Sequence, residues 1–255
     1  MSVNGSLGTL YLVPTPLDFG CNETIGLDQV LPHGTVAAAA RLTHWITENA
    51  KSTRAFLKRV DALVPLAQPL QSLALTELPR HVHKKGDHRG EFDARPLLAP
   101  ALQGIDIGLV SEAGMPAIAD PGASVVRAAH DLGLRVVPLV GPISLMLALA
   151  GSGLNGQHFA FVGYLPQDAG ERLQRLRALE ATALKTGQTQ LWIETPYRNA
   201  AVWEAMLKGL QPGTRVAVAS GLTLGAAHLR THTVQQWRQQ PSPVGDGPCV
   251  FAMGA

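Results

Sequence analysis

Segment 109–124, LVSEAGMPAIADPGAS, combines the residue types expected where a backbone-lined site meets a ligand. An apolar run ends at Val110, and Ser111, Glu112 and Asp120 follow it together with two glycines and two prolines. Glycine lets another group approach the main chain closely, and proline holds the main chain stiff. The spacing therefore predicts either an unusually tight turn or a loop whose backbone meets a ligand. Residues 111–122 are called the 111–122 loop below.

Four other apolar runs end in loops of the same composition. They contain Pro14-Thr15-Pro16, Gly141-Pro142, Tyr164-Leu165-Pro166 and Thr195-Pro196-Tyr197-Arg198. Ligands of open parallel sheets bind beyond the carboxyl ends of the strands. Any one of these loops is equally well an ordinary turn, because turns favour Gly, Pro and Asp. Five such loops together favour a pocket that is lined largely by main chain.

The apolar runs alternate between strand and helix patterns, which is typical of an α/β fold with a parallel sheet. Predicted strands cover 9–13, 105–111, 134–140, 159–165, 190–195, 215–220 and 249–254, and 35–48 passes from helix into strand. Predicted helices cover 52–60, 122–133, 142–153, 170–187 and 200–210. A composition break at 151–157 predicts two α/β domains, 1–154 with a mainly parallel sheet and 155–255.

Composition excludes several classes of protein. A net charge of +2 argues against strong nonspecific capture of nucleic acid, although a local basic surface stays open. Two cysteines, Cys21 and Cys249, cannot build a disulfide framework or a four-ligand zinc site, and a cytoplasmic setting is expected. The start lacks the pattern of a signal peptide, and Pro138, Gly141 and Pro142 interrupt the most apolar stretch, so no membrane span is predicted.

Sequence motifs exclude the common nucleotide and hydrolase sites. There is no GxGxxG after the first strand, no GxxxxGK[ST] and no GxSxG. His81, His83 and His88 raise the possibility of a metal cluster, but their polar, charged surroundings favour a solvated loop without metal.

The block 105–166, with LYLVPTP before it and IETPYR after it, resembles the bacterial small-subunit ribosomal RNA ribose 2′-O-methyltransferases. These enzymes form a branch of the tetrapyrrole (corrin/porphyrin) methylase superfamily, the class III S-adenosylmethionine-dependent methyltransferases. The resemblance implies two α/β domains with the methyl donor in the cleft between them, a homodimer, and ribosomal RNA or the small ribosomal subunit as partner. The chain is similar to a shorter, diverged branch of that family.

The resemblance also implies which residues bind S-adenosylmethionine. They are Pro14, Thr15, Pro16, Ser111, Glu112, Ala113, Gly114, Met115, Pro116, Ile118, Ala119, Asp120, Gly141, Pro142, Tyr164, Leu165, Pro166, Pro248 and Val250. Departures from the family pattern lie mostly outside these loops: PTPLDFG (14–20), ENAKST (48–53), SGLTLG (220–225) and GDG (245–247) stand where the ribosomal RNA enzymes carry other motifs. The resemblance therefore supports binding of the methyl donor more completely than it supports the identity of the methyl acceptor.

Few side chains are candidates for catalysis or acceptor binding. Glu48 is the candidate general base for a ribose hydroxyl, with capping or pairing with Lys51 or Arg54 as its structural alternative. The basic residues Lys84, Lys85, His88 and Arg89 form a candidate phosphate-contacting loop, or an ordinary solvated one. Glu194 and Arg198 are candidate substrate residues, or a structural ion pair.

The sequence is compatible with three functions. The sequence favours an S-adenosylmethionine-dependent methyltransferase that acts on RNA ribose. A donor-binding protein without catalysis and a methyltransferase of a small molecule such as a tetrapyrrole are the alternatives. The turn Ala113-Gly114-Met115-Pro116 has the form of the ribosomal RNA branch and disfavours the tetrapyrrole alternative.

Overall fold

The computed structural model describes residues 6–79, 81–82, 87 and 92–255, and the chain divides into two compact units. Unit 1 contains the described residues up to Phe19 together with Ile25–Pro142. Unit 2 contains Gly20–Thr24 and Ile143–Ala255.

Unit 1 is built on five parallel strands in the order β3-β2-β4-β1-β5. The strands are β1 Thr9–Leu12, β2 His44–Thr47, β3 Ala74–Glu77, β4 Ile107–Val110 and β5 Arg135–Pro138. The helices are α1 Leu27–Val30, α2 His33–Arg41, α3 Ala50–Asp61 and α4 Ala123–Asp131, with 3-10 turns at Leu70–Ser72, Arg95–Leu98 and Ala101–Gln103. A parallel sheet of this kind needs helices on both faces to cover it.

The core of unit 1 lies on both faces of its sheet. Leu10 and Leu109 pack with Val125 of α4 in one cluster, and Trp45 packs with Phe56 of α3 in the other. Successive side chains of a strand point to opposite faces, so the apolar runs of these central strands serve both clusters. All five strands end at one edge of the sheet, where their following loops gather.

Unit 2 has a mixed sheet in the order β6-β7-β10-β8-β9, in which only the β6–β7 pair is parallel. Its strands are β6 Phe159–Phe161, β7 Thr189–Glu194, β8 Arg215–Ser220, β9 His228–Thr233 and β10 Cys249–Gly254. Its helices are α5 Ser144–Ser152, α6 Ala169–Thr186, α7 Pro196–Gly209 and α8 Val234–Trp237.

The division between the units falls between Pro142 and Ile143, earlier than the 154/155 boundary predicted from composition. The reason is the packing of α5. Leu145 and Ala148 contact Ala219 and Val250 of the second sheet, so the helix is part of the core of unit 2. A glycine-rich break in composition does not show on which side a preceding apolar helix packs.

The predicted α/β fold is confirmed, and the structure adds two strands that the sequence analysis missed. Strands β3 and β9 both lie at the edge of a sheet, and none of their residues is buried. Their side chains therefore lack the apolar pattern on which the strand predictions rest.

We predict that residue 108 in β4 must be glycine, because Trp45 on the neighbouring strand packs against its Cα atom. A Cβ atom at Gly108 would lie 2.5 Å from Cε3 of Trp45, whose indole N–H donates to the Leu42 carbonyl (3.3 Å). We expect Gly108→Ala to lower the free energy of unfolding by about 1–3 kcal/mol, because the buried indole cannot move aside. Urea unfolding followed by circular dichroism measures this change.

Gly34→Ala is the matched control, because Gly34 lies in α2 and a Cβ there meets nothing within 4 Å. Alanine in the first turn of this helix should leave stability unchanged or raise it by up to about 0.5–1 kcal/mol. Equal unfolding midpoints for the two variants would contradict the packing argument.

Candidate active site

A backbone bridge joins the loops that follow β1 and β4. The Thr15 amide donates to the Gly114 carbonyl oxygen (3.0 Å), and the Gly114 amide donates to the Thr15 carbonyl oxygen (3.1 Å). The buried Thr15 hydroxyl also donates to the Ser111 carbonyl oxygen (3.4 Å). The two loops are therefore held together by main-chain bonds at the carboxyl edge of the first sheet.

Two glycines let a third loop join them. Gly114 has φ +75°, and a Cβ there would lie 3.2 Å from Cδ2 of Leu17. At Gly141, in the loop after β5, a Cβ would lie 2.3 Å from Cγ of Pro14. A side chain at Gly141 would displace the loop after β1, so close approach of the three loops requires glycine here.

The 111–122 loop stores backbone strain at two alanines. Ala117 and Ala119 have φ values of 65° and 64°, a left-handed conformation that costs an L-residue about 1–2 kcal/mol. The side chains of Ile118 and Ala119 are exposed at this part of the loop. Strain of this kind persists only where the surroundings impose it, and it is commonest at ligand-binding sites.

Carboxylates gather around the same loop. Oε2 of Glu48 accepts the Glu112 amide proton (3.2 Å). Burial and the nearby Glu48 raise the pKa of Asp120 to about 7, with a smaller contribution from Glu112 and an opposing hydrogen bond from Ser111. This edge of unit 1 therefore carries negative charge that favours a cationic ligand.

Asp87 fixes the end of the 111–122 loop, a role that the sequence analysis did not predict. Its Oδ2 accepts the amides of Gly122 and Ser124 (both 2.9 Å) and the Ser124 hydroxyl (2.6 Å). Burial tends to raise the pKa of this carboxyl, but these hydrogen bonds outweigh it and the pKa lies below its usual value. Asp87 and its partners are at least 35 residues apart in the chain, so no local pattern predicts the contact.

In unit 2, the first turn of α7 holds the Tyr164-Leu165-Pro166 turn. Arg198 forms an ion pair with the fully buried Glu194 carboxylate (3.1 Å) and donates to the Leu165 carbonyl oxygen (2.6 Å). Arg172 donates to the Gln167 carbonyl oxygen (2.9 Å). Burial raises the pKa of Glu194, against the opposing effects of the Thr195 amide and Arg198.

The adjacent residue, Asn199, holds the loop that leads into β10. Its side-chain amide donates to the Gly245 and Gly247 carbonyl oxygens (3.2 and 2.8 Å). Asn199 was not predicted either, although it follows the Thr195-Pro196-Tyr197-Arg198 loop directly. Burial raises the pKa of the neighbouring Cys249 thiol to about 11, so this cysteine is not a thiolate near neutral pH.

The predicted donor residues of unit 1 all lie in the three loops at its sheet edge. The donor role stays a prediction in both units. In unit 2, Leu165 and Val250 direct their side chains into core clusters, whereas Tyr164 and Pro248 are exposed. The substrate roles of Glu194 and Arg198 also stay predictions, and the structure shows the ion pair that was their alternative.

The remaining predictions concern the basic loop, metal binding, membrane spans and the cap of α3. Lys84, Lys85, His88 and Arg89 lie outside the described residues. The described residues contain no group of three or more side chains arranged to hold a metal ion. Within the same part of the chain, no helix combines the length and apolar character needed to cross a bilayer. Asn49, not Glu48, caps α3.

Two carboxyl groups, Asp120 in the 111–122 loop and Asp87 at its end, predict opposite pH dependences of stability. Asp87 has a lowered folded pKa, so its ionised form stabilises the fold above about pH 4, and this contribution is lost in acid. Asp120 has a raised folded pKa, so its ionisation destabilises the fold increasingly as the pH rises from about 4 to 7.

We therefore expect Asp87→Asn to lower the free energy of unfolding by about 1–3 kcal/mol at neutral pH, and the difference from wild type to shrink as the pH falls below about 4. Asp120→Asn should raise the free energy of unfolding relative to wild type. At pH 8 the increase should be a few kcal/mol, on the order that a pKa shift of this size implies, and near pH 4 it should be almost zero. Urea unfolding between pH 3 and 8 measures both series. Parallel pH profiles for the two variants would contradict this assignment.

Comparisons with known proteins agree with this architecture. A family model described as Tetrapyrrole (Corrin/Porphyrin) Methylases matches residues 36–237. The chain is 32% identical over 227 residues to the Ribosomal RNA small subunit methyltransferase I of Mesorhizobium japonicum, covering 89% of this chain and 67% of that protein. It is 31% identical over 222 residues to the protein of the same name from Escherichia coli O157:H7 (87% and 68%), and 33% identical over 226 residues to that of Bacillus subtilis (88% and 67%).

Two solved structures share the fold at low sequence identity. The methyltransferase CobJ gives a TM-score of 0.59 at 16% identity, with 97% of this chain and 94% of that chain covered. The uroporphyrin-III-C-methyltransferase of Thermus thermophilus gives 0.51 at 18% identity, with the same coverage. Because the family model spans most of the chain and relatives above 30% identity align along 87–89% of it, the chain belongs to the tetrapyrrole (corrin/porphyrin) methylase family, whose members are S-adenosylmethionine-dependent methyltransferases.

Proposed function

We propose that this methyltransferase transfers a methyl group from S-adenosylmethionine to a ribose 2′-hydroxyl of ribosomal RNA in the small ribosomal subunit. The structural observation that supports donor binding is the Thr15–Gly114 bridge, which makes two loops into one wall of main chain. The acceptor is proposed from the relatives, which are named as methyltransferases of small-subunit ribosomal RNA.

The residues at this edge suit the charge and shape of the donor. S-adenosylmethionine carries a positive sulfur and an ammonium group, and the carboxylates of Glu48, Glu112 and Asp120 supply opposite charge nearby. The glycines at 114 and 141 keep side chains away from the wall, which leaves main-chain groups to contact the ligand. Residues 14–16, 111–116, 118–120, 141 and 142 would hold the donor.

Methyl transfer depends mainly on alignment. The bound donor supplies a methyl group on a positively charged sulfur; the bond to sulfur breaks as the bond to the ribose oxygen forms. Reacting atoms that are held in line lose little entropy at the transition state. The stiff, bridged loops provide this fixed geometry, and their oriented carbonyl dipoles need no reorganisation during the reaction.

A carboxylate at the same edge would accept the proton that leaves the hydroxyl. Glu48 is the candidate, because its position after β2 brings its side chain to the 111–122 loop. One Glu48 oxygen is engaged by the Glu112 amide, and this hydrogen bond orients the carboxylate.

The donor site is tested at Gly114. We expect Gly114→Arg to abolish donor binding, because an L-residue at φ +75° disrupts both bonds of the Thr15 bridge. Isothermal titration with S-adenosylmethionine measures the affinity, and circular dichroism verifies the fold.

Gly133→Arg is the matched control. Gly133 has φ +70° and open space around it, and it follows α4 rather than contributing to the three loops. The control carries the same kind of backbone strain and should bind the donor with wild-type affinity. Unchanged affinity in Gly114→Arg would remove this loop from the donor site.

Activity is tested with tritium-labelled donor and small ribosomal subunits from a strain that lacks this protein. We expect tritium in the RNA, at a phosphodiester that resists alkali because its 2′-oxygen is methylated. Incorporation into small molecules only would support a small-molecule acceptor such as a tetrapyrrole. No transfer to either class, with donor binding intact, would support a binding protein without catalysis.

This function carries two further expectations. An enzyme that modifies ribosomal subunits acts in the cytoplasm. The family resemblance implies a homodimer, which sedimentation velocity of the purified chain measures directly.

A further inference from the structure

Helix α3 has three cationic side chains on one exposed face. Lys51, Arg54 and Lys58 are separated by three and four residues, so they lie along one side of the helix and span about 10 Å of its length. Among the residues that the structure describes, none of the three takes part in an ion pair. We call these three residues the α3 basic face.

Most other side chains of α3 pack in the core or bind neighbouring residues of unit 1, whereas the α3 basic face makes no such contact within the described part of the chain. The opposite side buries Phe56, Leu57 and Val60 in the core of unit 1. Arg59, on the flank, forms an ion pair with Asp18 (2.9 Å). The helix contains one acidic residue, Asp61, and its carboxylate accepts the Leu66 amide proton (3.0 Å).

The main chain at the start of α3 is also satisfied internally. Oε1 of Glu77 accepts the Ala50 amide proton (2.7 Å), and Oδ1 of Asn49 accepts those of Lys51 and Ser52 (2.9 and 3.4 Å). The amide of Thr53 donates to the Asn49 carbonyl oxygen (3.1 Å). An anion at this end of the helix would therefore be bound by the cationic side chains rather than by the helix amides.

The α3 basic face begins beside the proposed donor edge. Glu48, two residues before α3, donates its amide to the Val110 carbonyl oxygen (3.3 Å) and accepts the Glu112 amide proton through its side chain. Lys51 is thus three residues from a direct contact with the 111–122 loop, and Arg54 and Lys58 follow along the helix. A polyanion on this face would have one end next to the site of methyl transfer.

We propose that the α3 basic face binds the phosphate backbone of the RNA acceptor, an inference that rests on the proposed function. Three unpaired cations in a row complement a chain of phosphates, and contacts of this kind position a nucleic acid without reading its sequence. The face orients the acceptor strand toward the donor edge. Its residues take no part in binding the donor.

The test replaces the three charges and measures RNA binding against salt. Lys51→Gln/Arg54→Gln/Lys58→Gln keeps long side chains of good helix propensity and removes the charge. The control, Arg175→Gln/Arg177→Gln/Lys185→Gln, removes three exposed charges from α6 in unit 2. Fluorescence anisotropy of a labelled fragment of small-subunit ribosomal RNA, at 50–300 mM KCl, gives affinity and salt slope for the full chain.

We expect the α3 variant to bind RNA about 10–100-fold more weakly at low salt and to lose about two from the salt slope, because each phosphate contact contributes roughly 0.7–0.9. Its donor affinity should equal that of wild type, and the α6 control should match wild type in both measurements. Circular dichroism verifies that all three proteins are folded.

The outcomes separate this inference from the proposed function. If wild type binds and methylates the RNA, and the α3 variant keeps the wild-type salt slope, the α3 basic face is not the RNA surface and the proposed function stands. If wild type neither binds nor methylates the RNA, the proposed function fails and this inference fails with it.

Discussion

The candidate site depends on one small main-chain interaction, the two hydrogen bonds between Thr15 and Gly114. Adjacent strands of a parallel sheet are fixed to each other, but the loops that leave them are not. Here the bridge ties the loop after β1 to the loop after β4, and the contact of Gly141 with Pro14 adds the loop after β5. The left-handed glycine and the two strained alanines follow from this constraint, because a loop that is bridged at one end must turn sharply to reach α4.

Electrostatics at this edge follow from how each carboxylate is solvated. Asp87 is buried but receives three hydrogen bonds, so it is held as an anion that fixes the end of the loop. Asp120 is partly withdrawn from solvent close to Glu48 and Glu112, and these surroundings raise its pKa to about 7. A cationic ligand would lower the pKa of Asp120 on binding. One edge thus combines a structural anion, Asp87, with a carboxyl group, Asp120, that titrates near neutral pH.

In unit 2, side chains hold the loops together, whereas in unit 1 the bridge between the loops after β1 and β4 consists of main-chain hydrogen bonds. Two consecutive residues of α7, Arg198 and Asn199, donate to carbonyl oxygens of two separate loops, and Glu194 at the end of β7 orients Arg198. Because the acceptors are main-chain carbonyls, these contacts specify the shape of the loops. The Thr195-Pro196-Tyr197-Arg198 segment therefore contains a residue that organises this unit's loops, and its predicted contact with a substrate stays a prediction.

The sequence by itself determined the α/β class, the interior strands and helices, and the loops at the strand ends, because apolar periodicity and runs of Gly and Pro are local properties. It also predicted that the 111–122 loop and the loops of Thr15 and Gly141 meet at one edge, and the structure brings these three loops together. Only the tertiary structure decided which loops are bonded to each other, that α5 belongs to unit 2, and that the second sheet is mixed. Asp87 and Asn199 became visible as organising residues only there, because each acts on backbone that lies more than 30 residues away. Contacts between residues so far apart in the sequence depend on how the whole unit packs, and a local sequence pattern does not predict them.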